Sequence, residues 1–112
     1  MTGTELSTLA RIGSNAIVVV FNNAGYSTER FILDGPFNDV ASWRFHRIGE
    51  LFGEIAGYEA ATEDAFEHAF ATAMAIRDRP SLIEVRLSPS DPSPAMKRLA
   101  QNLRAKVEGR AP

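Results

Sequence analysis

The chain has 112 residues, a net charge of −2, 45% apolar residues and no cysteine. That size suits a single domain, and that apolar content supports a core. The missing thiols exclude a disulfide framework, a thiolate metal site and a cysteine nucleophile, and the charge balance disfavours nucleic acid as a partner. No apolar run approaches the ~20 residues of a membrane span and no signal peptide is read before the first helix. The expectation is a cytoplasmic chain with no membrane partner.

The opening "TGTELSTLARIG" reads as a helix. Thr2 and Glu5 have the spacing of a capping box, Leu6, Leu9 and Ile12 recur at helical intervals, and Gly13 suits the position after the last turn. "AIVVVF", residues 16–21, is apolar throughout and β-branched in its middle. A run that does not alternate predicts a strand covered on both faces, as in a parallel sheet. Residues 24–42 are rich in turn formers, with "DGPFND" as the clearest loop signal. A short helix is expected from Trp43 to Phe52, anchored by Trp43, Ile48, Leu51 and Phe52 and closed by Gly53.

"IAGYEA" predicts a short strand over 55–60. The strongest helix follows, with Thr62 as N-cap, Glu63 and Asp64 at the positive end of the dipole, and an apolar face of Phe66, Ala69, Phe70, Ala73 and Met74. Arg77 and Arg79 are expected at its negative end and Pro80 as its stop. "SLIEVRL", 81–87, reads as a strand that alternates over its later part, and 88–94 as a linker. Ser93 and Pro94 then open a last helix with Met96, Leu99, Leu103 and Val107 on one face. Residues 1–93 carry 7 Lys/Arg against 13 Asp/Glu, whereas 94–112 carry 5 against 1. The basic excess reads as a solvated helix face, with electrostatic docking as the alternative.

Alternating helices and strands predict an α/β fold with a parallel sheet and right-handed crossovers. The three strands are few for a doubly wound sheet, and a helix comes first. Residues 1–112 are therefore expected to be the later half of a three-layer domain rather than a complete one.

Ligands of open α/β sheets bind beyond the carboxyl ends of the strands. There "FNNAGYSTE" places Asn22 and Asn23, then Gly25, Tyr26, Thr28 and Glu29. An asparagine oxygen and a main-chain carbonyl are hard neutral ligands of the kind magnesium takes. Gly25 leaves room for a bulky ligand and can adopt positive φ. A plain Asx-type turn, with Glu29 well placed in a helix's first turn, accounts for the same residues.

"NNAGYSTE" followed by "ILDGPFNDVASW" resembles the cofactor-binding domain of thiamine diphosphate-dependent 2-oxo acid decarboxylases, the pyruvate and indolepyruvate decarboxylase group. Asn22-Asn23, Gly25-Tyr26, Thr28-Glu29, Gly35-Pro36, Asn38-Asp39 and Trp43 occur in the order of that pattern. "MTGTELSTLARIG" is similar to the helix between the halves of the family motif. The resemblance covers nearly the whole chain and is strongest over residues 1–53. It implies that the Asn23 side chain and the Gly25 main-chain oxygen hold Mg2+ bridging the cofactor's diphosphate. It also implies that Tyr26 and Thr28 line thiamine diphosphate, and that Glu29 serves proton transfer around decarboxylation. Such a carboxyl suits general-acid work when its site is enclosed.

The Gly-Asp-Gly that opens the family motif, and whose aspartate is a metal ligand, is absent from this sequence. So is the pyrimidine-binding domain, with its glutamate and histidine pair. His46 and His68 match neither histidine and read as packing or surface groups, and Phe66 and Phe70 as core. The resemblance implies a small 2-oxo acid substrate and association with a second copy or with the remainder of a parent enzyme. A related carboligase or lyase, or a truncated non-catalytic module acting through association, are the alternatives.

Overall fold

A computed structural model describes residues 3–109. Its strands are β1 (Ile17–Asn22), β2 (Ala56–Ala60) and β3 (Ser81–Arg86), all parallel, in the order β1-β3-β2. Ile17 and Ala56 both lie opposite Ser81, and the register runs on to Asn22 opposite Arg86 and Ala60 opposite Val85. The α/β expectation and all three strands therefore hold.

Burial is distributed differently from the expectation. β3 is the central strand, buried from Ser81 through Glu84, whereas β1 is only half-buried and its Phe21 is 70% exposed. An unbroken apolar run marks a strand that can be covered on both faces. It does not say whether neighbours within the chain do the covering. Among the described residues β1 pairs on one side only, and its Val-rich surface is half-buried.

One face of β3 carries Ile83 and Val85, which pack against helix α4 (Glu63–Ala75). Ala69 and Ala73 are the buried positions of α4, and such short side chains let the helix approach Ala60 and Ile83 closely. Phe66 is partly buried against this core and stacks on Phe70 at 5.8 Å, but Phe70 is 40% exposed, so only the first of the pair is a core residue. The Thr62 hydroxyl accepts from the Ala65 N–H, as its position predicts. The helix stops at Ala75 and Ile76 is already extended. Arg77 and Arg79 thus lie beyond the helix end rather than on its last turn, and Pro80 is buried immediately before β3.

The opposite face of the sheet meets residues 43–53. The helix expected there is instead a 3₁₀ turn, Phe45–Arg47, followed by the short α3 (Gly49–Phe52). A Cβ on Gly57 of β2 would collide with the His46 carbonyl, and a Cβ on Gly49 would collide with that of Ile55. Main chain lies directly on main chain at these points, which leaves no space for the side chains of a regular helix. Trp43 (66%) and Leu51 (76%) are exposed and do not anchor the segment, while Ile48 and Phe52 are half-buried. Gly53 closes it at φ 65°. Helix α1 (Leu6–Arg11) packs on α3, and Gly13 ends it at φ 65°. The expected capping box involves Thr2, which lies outside the described residues; Glu5 itself precedes α1 without a side-chain cap, and its carboxylate accepts from the Thr8 hydroxyl at 3.5 Å.

These elements, residues 3–22 and 43–86, form the first of two compact units. The second comprises residues 23–42 and 87–109. It contains helix α2 (Ser27–Ile32), a 3₁₀ turn at Pro36–Asn38 and helix α5 (Pro94–Glu108), with α2 packed on α5. Ser93 caps α5 by accepting from Met96 N–H, and Pro94 takes the first helical position. In α5 Ala100 is buried, flanked by half-buried Met96 and Leu103, whereas Leu99 (51%) and Val107 (48%) are exposed. The inner face is thus rotated by about one residue from the expected one.

Candidate functional site

The chain leaves β1 at Asn22 and enters a turn at Asn23. Ala24 takes φ 60°, the left-handed conformation, so positive φ falls on Ala24 and not on Gly25 as the spacing suggested. Gly25 is required for another reason. A Cβ there would collide with the Asn38 carbonyl, and Gly25 forms an isolated antiparallel bridge with Asp39. Within that bridge the Tyr26 N–H donates to the Asn38 carbonyl at 2.9 Å. The described peptide bonds are trans. In a trans peptide the C=O opposes the following N–H, so the Gly25 carbonyl points away from the 36–38 turn.

Asn38 organises this turn. It is 1% exposed, its side-chain amide donates to the Leu33 carbonyl at 2.9 Å, and its N–H donates to the Gly35 carbonyl at 3.0 Å. Arg30 of α2 braces the same loop, with Nη2 at 2.6 Å from Asp39 and Nη1 at 3.3 Å from Asp34. The Gly-Pro and Asn-Asp pairs of the sequence pattern thus serve to hold the backbone that carries Gly25 and Tyr26.

Asn23 and Thr28 line an open cleft of about 270 Å³, together with Ser27, Phe31, Ser88 and Met96. The Ser27 hydroxyl donates to the Pro89 carbonyl at 3.3 Å, linking the start of α2 to the segment before α5. Tyr26 is 56% exposed at the start of α2. Glu29 sits in the first turn of α2, also exposed. Of the residues singled out by sequence, Asn23 and Thr28 share the cleft, Gly25 and Tyr26 share the bridge to residues 38–39, and Glu29 faces solvent. The enclosed surroundings expected for Glu29 are not supplied by the described residues around it.

A second polar cluster, in the sheet unit, went unread in the sequence. Glu84 lies in the middle of β3 and its side chain is 0% exposed. Its Oε1 accepts from Asn22 Nδ2 at 2.6 Å, and its Oε2 accepts from the His46 N–H at 3.0 Å and contacts His46 Nδ1 at 2.6 Å. A carboxylate can only accept, so Nδ1 carries the proton in this contact. Arg86 Nε lies 3.4 Å from Glu84 and 2.7 Å from Glu59. Burial pushes the Glu84 carboxyl up, but the His46 N–H, the Asn22 amide, the His46 ring and the Arg86 charge outweigh it and hold the group below its ordinary range. The available signal was a lone acid inside "LIEV". An acid in a strand that alternates over its later part gives no sign of burial; the 45–47 turn lying over the sheet supplies two of its hydrogen-bond contacts.

Among the described residues no group of three His, Cys, Asp or Glu side chains could hold a metal ion. The oxygen donors at the turn after β1 include the neutral Asn23 side chain and the Gly25 carbonyl, which points away from the 36–38 turn. They suit part of the shell of a hard cation whose remaining ligands carry charge, such as a diphosphate.

A family model for the thiamine pyrophosphate enzyme, C-terminal TPP binding domain, matches residues 1–85. The chain belongs to this family. An alpha-keto-acid decarboxylase of Mycobacterium bovis is 36% identical over 89 residues, which is 76% of this chain and 16% of that protein. A pyruvate decarboxylase of Aspergillus parasiticus is 44% identical over 55 residues, 47% of this chain and 10% of that protein. A transaminated amino acid decarboxylase of Saccharomyces cerevisiae is 42% identical over 57 residues, 48% of this chain and 9% of that protein. The chain thus spans a small part of the length of the curated relatives it matches. As a thiamine pyrophosphate enzyme C-terminal domain, it has the expected α/β architecture with a parallel sheet. Among its described residues no helix is long and apolar enough to cross a membrane.

Proposed function

We propose that residues 1–112 are the later part of the cofactor-binding domain of a thiamine diphosphate- and Mg2+-dependent 2-oxo acid decarboxylase, which releases an aldehyde and carbon dioxide. The observation that carries this reading is the family match, which includes the whole Asn23–Glu29 turn. The relatives' names, all decarboxylases, favour that activity over a carboligase.

In this reading the Asn23 side chain and the Gly25 carbonyl would hold Mg2+. Tyr26 and Thr28 line the cofactor. Thiamine diphosphate, when bound, supplies the electron sink for loss of carbon dioxide. Glu29 would hold or deliver a proton at its carboxyl. The charged metal ligand and the glutamate that serves the aminopyrimidine ring come from elsewhere in the enzyme, as do the groups that enclose Glu29. The substrate is a small 2-oxo acid, and the assembly is a homo-oligomer or this chain with the remainder of its parent.

In the complete polypeptide, Glu29→Gln is expected to lower turnover on the order of 100-fold or more, with thiamine diphosphate and magnesium still bound. Steady-state decarboxylation beside a calorimetric binding titration checks this. Unchanged turnover would remove Glu29 from the reaction.

A further inference from the structure

Helix α4 packs on β2 and β3, with Ala65, Phe66, Ala69 and Ala73 turned to the core. Its outer side is not uniformly polar. Phe70 and Met74, exposed at 40% and 51%, continue the row that begins with Phe66, at four-residue spacing along the helix. Ala71 and Ala75 lie on the adjacent row and are also exposed. Such short side chains let a second helix come close to the Phe70–Met74 row. The charges at the two ends differ in sign. Glu63, Asp64 and Glu67 are exposed on the first turns of α4, whereas Arg77 and Arg79, with Asp78 between them, are exposed just beyond its end. Phe70 stands midway, seven residues after Glu63 and seven before Arg77.

A face with an apolar middle, an acidic start and an arginine-bearing end is its own complement when turned end for end. That is the property a two-fold contact requires. We infer that α4 is a self-association surface, on which two copies of the polypeptide meet through an antiparallel α4 pair centred on Phe70. In that pair Phe70 packs on its counterpart, Met74 packs on the second copy's Phe66 and Phe70, and the acidic start of each helix lies beside the arginines that follow the other. A parallel pair would set the acids of both starts against each other, which is unfavourable. This contact is one specific form of the homo-oligomer proposed above, so it rests on that part of the reading and on none of the cofactor roles.

The test compares the complete polypeptide with its variants by sedimentation velocity over a concentration series. Phe70→Glu and Met74→Glu, each placing an acid in the apolar middle, are expected to weaken self-association on the order of tenfold or more. Glu63→Arg and Arg77→Glu should each weaken it as well, and the variant carrying both should recover, because exchanging the two signs restores the pairing. Ala71→Cys gives a geometric readout. A short thiol cross-linker is expected to join position 71 of one chain to position 71 of another, identified by mass spectrometry of the linked peptides. Self-association unaltered by Phe70→Glu and Met74→Glu overturns the inference, as does a cross-link from position 71 to its own chain only. Should Phe70→Glu not fold, Met74→Glu and the cross-link decide. A wild type that stays a single chain at every concentration overturns the homo-oligomer reading and this inference together and leaves the cofactor roles standing. A self-associating wild type with unaffected variants overturns the inference alone.

Discussion

Glu84 remains a carboxylate in a fully buried position because the donors around it outweigh the cost of burial. Its folded-state pKa is lower than the ordinary 4.5, so the group binds protons less readily in the folded than in the unfolded chain. Its contribution to stability is therefore fully present above the ordinary value and is lost as pH falls through the lower, folded one. Denaturant unfolding of the chain from about pH 6 downward should show stability declining in that acid range, and Glu84→Gln should flatten the decline. An unaltered slope in the variant would remove Glu84 as its source. Gly25 shows the same dependence on surroundings. Its lack of a side chain was read as room for a ligand, but the group that comes close is the Asn38 carbonyl, and the positive φ belongs to Ala24.

Elements whose limits are set by local chemistry were legible. Thr62 and Ser93 cap α4 and α5 at the residues where a hydroxyl precedes a helical run. Thr62→Ala should cost about 1 kcal/mol, read as a lower midpoint of denaturation, because the Ala65 N–H loses its acceptor at a helix that carries the core residues Ala69 and Ala73. A midpoint unchanged from wild type would mean that solvent replaces the hydroxyl at no cost. The 43–52 segment was not legible as drawn. Its apolar residues have helical spacing, but contact between the His46 main chain and Gly57 decides its path, and that contact joins residues far apart in sequence. The inner face of α5 shifted for a similar reason, since Ala100 rather than Leu99 meets its neighbours.

For the molecule as a whole, family membership and site composition point in different directions for the isolated chain. The family binds thiamine pyrophosphate. This chain brings neutral oxygens to the turn after β1 and leaves Glu29 exposed. Phe21, Leu51 and Met74 of the sheet unit are also more than half exposed. Calorimetric titration of the 112-residue chain with Mg2+ and thiamine diphosphate is expected to give weak or no binding and no decarboxylation. Micromolar binding by the chain alone would show that the residues present suffice.

The sequence by itself determined the α/β class, the three strands, the caps of α4 and α5 and the motif that follows β1. Each depends on periodicity, on a capping side chain or on a contiguous motif, all of which act over a few neighbouring positions. Tertiary structure alone decided that β3 is central, that Glu84 is buried among Asn22, His46 and Arg86, and that the Gly25 carbonyl points away from the 36–38 turn. Those outcomes depend on which distant segments meet, and a buried charge is tolerated only where the meeting segments bring its hydrogen-bond partners.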